Sequence, residues 1–103
     1  MVLNKEIMTK VIKQAKKVQK ELEKLNQILE PVNDVYMAID PLPFYMSSDV
    51  LPEIRAIMGG TMKVRKCLFQ EDSFEAELIV DGVKFRNYCV AATDKERYHD
   101  DTL

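Results

Sequence analysis

A chain of 103 residues, 47% hydrophobic and 31% charged, has the size and make-up of one folded domain, and its formal net charge of -2 makes it slightly acidic as a whole, which does not favour binding polyanions. Two cysteines without close pairing argue against a disulfide scaffold or a zinc motif and favour a reducing, cytoplasmic setting. No apolar run approaches bilayer length, and Asn4, Lys5 and Glu6 interrupt the first apolar residues, so neither a membrane span nor a secretory leader is expected.

Residues 3–30 read as one long amphipathic helix. Met8, Val11, Ala15, Val18, Leu22, Leu25, Leu29 and Val32 recur at alternating spacings of three and four, a coiled-coil-like apolar seam. Pro31 ends or kinks the helix, with Val32 to Ile39 as a further short helical piece. Asp40 to Met46 holds two prolines and reads as an ordered loop. Ser47, Ser48 and Asp49 offer caps for a second helix from Val50 to Met58, stopped by Gly59 and Gly60.

From Thr61 the period becomes alternating, and Met62 to Phe69, Phe74 to Val80 and Val83 to Ala91 read as strands. The Asp81-Gly82 pair is a favoured type I′ hairpin turn, which sets Val80 opposite Val83, Leu78 opposite Phe85, Ala76 opposite Asn87 and Phe74 opposite Cys89. On the other face Glu77 meets Arg86 and Glu75 meets Tyr88, with Lys63 and Arg65 close by; Lys66 breaks the alternation and marks a bulge or an edge. The expected architecture is α+β: a long N-terminal helix, a short second helix and a three-stranded antiparallel β-meander. It forms a single domain over residues 1–92, helical over 3–58 and sheet over 61–92, followed by a flexible acidic tail, 93–103.

The charges segregate along the chain. Residues 1–30 hold seven Lys against four Glu, whereas residues 31–60 hold one Arg against four acids. A helix of about 28 residues is ~42 Å long while three strands span only ~15 Å, so the helix must overhang its sheet. Its seam, from Val11 through Ala15, Val18 and Leu22 to Leu25, is expected to be buried in a homodimer or against another protein.

Catalytic and metal chemistry find no foothold in the sequence. His99 has no second histidine to join it; Cys67 and Cys89 fall ~9 to 10 Å apart on outer strands and on opposite faces, with Cys89 in the core and Cys67 the more exposed, so no disulfide is expected. Glu71, Asp72, Glu75 and Glu77 lie on an open face beside basic groups and lack the enclosure a general acid needs. No cofactor, metal or enzymatic activity is expected.

Two surfaces remain. Tyr36, Phe44, Tyr45 and Met46 concentrate aromatic and Met side chains on a proline-stiffened loop, suited either to closing the core or to contacting a partner protein. Lys13, Lys16, Lys17 and Lys20, with Lys10 and Lys24, form a basic helix face suited to solvent or to nucleic acid. The stretch from Lys13 to Leu22, KQAKKVQKEL, resembles the first helix of the YbaB family of nucleoid-associated proteins, a likeness that implies nucleic-acid binding. It covers this helix alone, and the order of elements downstream departs from that family's. The function expected from the residues is a small protein-interaction module, an adaptor or inhibitor occupying a partner's surface and self-associating through its first helix, in the style of small accessory proteins of phages and mobile elements. A nucleic-acid-binding dimer is the alternative.

Overall fold

The computed structural model describes residues 3–32, 43–46, 49–68 and 70–102. The first helix, α1, runs from Lys5 to Leu29, and its N-terminus is fixed by Asn4, whose Oδ1 accepts the Ile7 N–H at 2.9 Å. It tightens into a 3-10 turn at Glu30–Val32, where Pro31 has no N–H to continue the ladder. The remainder of the short helical piece expected up to Ile39, and Tyr36 with it, lies outside the described residues.

Among the described residues four strands follow, not three. Phe44–Tyr45 forms a two-residue strand, β1, at the end of the segment expected to be a loop. The second helix, α2, spans Leu51–Met58; it is capped by the Val50 backbone without a side-chain hydrogen bond, in place of the expected Ser and Asp caps, and Ser47 and Ser48 lie outside the described residues. Strands β2 (Thr61–Lys66), β3 (Ser73–Val80) and β4 (Val83–Ala91) form the expected antiparallel meander. However, β1 adds to β4 in parallel, giving a mixed sheet of order β1-β4-β3-β2. A two-residue strand has too little periodicity to be read from sequence, and a parallel partner needs a distant segment to return.

The Asp81-Gly82 turn has positive φ at both residues and sets the register expected near it, Val80 to Val83 and Leu78 to Phe85. Further along, the register shifts by one residue. Phe74 faces Val90 instead of Cys89, leaving Tyr88 and Cys89 together opposite Glu75, and Cys89 takes φ +53°. This bulge leaves Cys89 exposed instead of in the core, while Cys67 is buried and not the more exposed of the two, and the thiols lie close enough to interact instead of on opposite faces. It lies in β4 and not at Lys66, which sits at the end of the edge strand β2.

The helices cover one face of the sheet. Met8, Ile12 and Ala15 of α1 and Leu51 and Ile54 of α2 meet Met62, Ala76, Leu78, Val80, Val83, Phe85 and Val90 in one core. Ile12 was not part of the expected seam. It enters because α1 is rolled so that its buried stripe is Met8, Ile12 and Ala15, which turns Val11 outward.

Residues after Ala91 are not laid out as a solvated tail. Ala92–Arg97 forms a 3-10 helix, and Tyr98 is buried edge-on against Phe74 with ring centroids 5.1 Å apart. Asp100 and Asp101 then lie along the free edge of β2, where their carboxylates accept the Val64 and Met62 N–H groups at 3.3 and 2.7 Å, and the Asp101 N–H returns a bond to the Met62 carbonyl at 2.8 Å. The segment therefore shields an edge strand, a role its charged composition conceals.

Candidate functional site

Apolar surface left uncovered on a small domain is the most informative feature of this fold. No residue of α1 after Ala15 is buried. Lys16 pairs with Asp81, and Gln19 Nε2 donates to the Gly82 carbonyl at 3.4 Å, both at the turn that ends the β3–β4 hairpin. The helix thus reaches the end of the sheet within its first four turns and carries on past it for about ten residues, in accord with the expected overhang.

Two segments of the stripe differ in their surroundings. Beside the sheet, Val11, Gln14, Ala15 and Val18 form one wall of a groove of about 370 Å³, opposed by Phe44, Tyr45, Met46 and Phe85. Phe44 and Met46 are half-buried and packed on the core, with the Phe44 ring 6.2 Å from that of Phe85, so they form a floor and not a protruding contact. Past the sheet, Leu22 and Leu29 are half-buried, while Leu25 and Ile28 are 40% and 72% exposed. Val11, Ala15 and Val18, expected at a self-interface, and Phe44, Tyr45 and Met46, expected to face a partner, are therefore brought to one groove, with Leu22 and Leu25 further along the same helix. Ala15 belongs to the intramolecular core and is the exception among them. Ile28 was missed because it falls outside the a/d positions of the heptad. The signal that could have found it is the wider helical stripe formed with Leu25 and Leu29.

The strand that builds the groove is itself held by buried polar groups. Asn87, 1% exposed, donates through Nδ2 to the Met46 carbonyl at 3.1 Å and accepts the Tyr98 hydroxyl on Oδ1 at 3.0 Å. Met46 N–H donates to the Arg86 carbonyl at 2.8 Å. The C-terminal segment thus positions the groove floor through one asparagine. Burial pushes the Tyr98 phenol up, with further repulsion from Asp49.

The remaining candidates sit elsewhere. Lys13, Lys16, Lys17 and Lys20 are exposed on α1, with Lys16 engaged by Asp81. On the open face of the sheet Arg65 pairs with Glu75 and Arg86 with Glu77, each at 2.8 Å, and the Arg86 guanidinium is held above its usual range by the Glu77 carboxylate. The Tyr45 and Tyr88 rings stack there at 4.8 Å with their hydroxyls 3.0 Å apart. His99 is exposed, 3.8 Å from Asp101, and among the described residues no three His, Cys, Asp or Glu side chains converge as metal ligands. Nor is any described helix long and apolar enough to cross a membrane. Comparison with protein-family models, characterised proteins and solved structures returns no match.

Proposed function

We propose that this chain is a small non-enzymatic interaction module that self-associates through α1 in the cytoplasm. The observation that carries the reading is the apolar stripe of α1, along which Val11, Leu25 and Ile28 are exposed and Val18 and Leu22 only half-buried, and which continues past the sheet. Each apolar side chain taken from water contributes on the order of 1.5–3 kcal/mol, so a few of them can offset the entropy lost when two chains associate. A second copy is the occupant that matches a coiled-coil seam, because the same helix supplies both sides of the contact.

The test is solution mass by light scattering across protein concentrations, for wild type and for Leu25→Asp. A dimer that the substitution dissociates, with the circular dichroism of the monomer unchanged, supports the reading. A wild-type monomer at every concentration overturns it.

A second reading, nucleic-acid binding, is favoured by one observation: Lys13, Lys17 and Lys20 are exposed together on α1. It requires binding that weakens steeply with salt and is lost when these lysines are changed to Glu.

A further inference from the structure

We propose that the two copies pair α1 against α1 in opposite directions, so that the end of each helix closes the groove of the other; this rests on self-association through α1. The first argument is charge. Residues 5–20 of the helix hold six Lys and one Glu, whereas residues 21–30 hold three Glu and one Lys. Each helix is basic along the part seated on the sheet and acidic along the part that leaves it. Opposed directions can lay the Glu30 end of one copy on Lys17 of the other, and Glu23 on Lys24, whereas a parallel pair sets like against like along its whole length.

Steric room gives the second argument. In a parallel pair both sheets lie at the same end and compete for space beside the helices. Opposed directions place them at opposite ends, leaving the overhanging turns free to pack.

The apolar positions give the third, because they fix a register. With a two-fold axis between Glu23 and Lys24, Leu22 lies level with Leu25 of the second copy and Val18 with Leu29 of the second copy, and symmetry repeats both layers. In this register Lys17 lies level with Glu30 of the second copy and Lys24 with Glu23 of the second copy. Level with Val18 is also the mouth of the groove over Phe44 and Met46. Leu29 of the second copy, with Ile28 beside it, closes that mouth, so the groove is completed only by the dimer.

Spin-label distances test the arrangement in the full chain. Single labels are placed at Lys24→Cys and at Lys10→Cys in a Cys89→Ser background, Cys67 being buried. Near the axis the Lys24 labels are expected within roughly 20 Å of each other, as for two helices in contact, while the Lys10 labels are expected ~40 Å apart, twice their axial offset at 1.5 Å per residue. Short distances at both positions mean a parallel pair and overturn the inference, leaving self-association through α1 intact. A dimer with a long distance at Lys24 means pairing through another surface and overturns both. A monomer by light scattering at the labelling concentration overturns the underlying reading and the inference with it.

Discussion

Two residues show how much of this fold depends on single side chains placed late in the chain. Tyr98 fills the core against Phe74 and supplies one of the hydrogen bonds of Asn87, the buried polar group whose amide holds the Met46 carbonyl. Tyr98→Phe keeps the ring and removes the hydroxyl, so it should cost ~1–2 kcal/mol in urea unfolding, whereas Tyr98→Ala should cost about 3–5 kcal/mol. The buried phenol titrates above its ordinary value in the folded chain. Its contribution is therefore fully present below the unfolded phenol's pKa of about 10 and is lost as pH rises beyond that toward the folded value, with a slope of up to ~1.4 kcal/mol per pH unit. Unfolding measured between pH 9 and 11 should show a steeper decline in wild type than in Tyr98→Phe. Neither the tyrosine nor Asn87 announces this in the sequence: Tyr98 sits among charged residues, and Asn87 reads as the one polar break in an apolar strand face.

At the level of elements, the sheet has two edges, and the chain treats them differently. Along β2 the Asp101 carboxylate accepts the Met62 N–H and pairs with Arg55 of α2, so one residue joins the last segment, an edge strand and a helix. Asp101→Ala leaves a part-buried N–H and a guanidinium without that acceptor and should lower stability by ~1–3 kcal/mol in thermal or urea unfolding, beyond the sub-kilocalorie loss of an ordinary surface ion pair. The α2–β2 connection is equally exacting. At Gly60, φ +105° and a Cβ only 2.5 Å from the Ile79 carbonyl oxygen forbid a side chain, whereas at Gly59, φ +74°, a side chain strains the backbone alone because its Cβ meets open space. Gly60→Ala should therefore be the more damaging of the two, by at least about 1 kcal/mol in paired unfolding measurements. The glycine pair is legible as a helix stop. Which of the two tolerates a side chain less depends on how closely β3 passes.

For the whole molecule the governing fact is a mismatch of lengths: 25 helical residues span ~37 Å, more than the sheet can cover. The molecule is accordingly elongated, 47 × 36 × 26 Å. Loss of dimer on Leu25→Asp, seen as a halving of mass in light scattering with folding intact, is the consequence expected at this scale. Sequence alone determined the α+β class, the extent of both helices, the three long strands, the tight hairpin turn and the overhang, because each follows from local periodicity, turn chemistry and simple lengths. Only the tertiary structure decided the roll of α1, the parallel strand β1, the bulge that turns Cys89 outward, and the docking of Tyr98, Asp100 and Asp101. Those four depend on contacts between segments far apart in the chain, where register and packing override what any local window of residues can express.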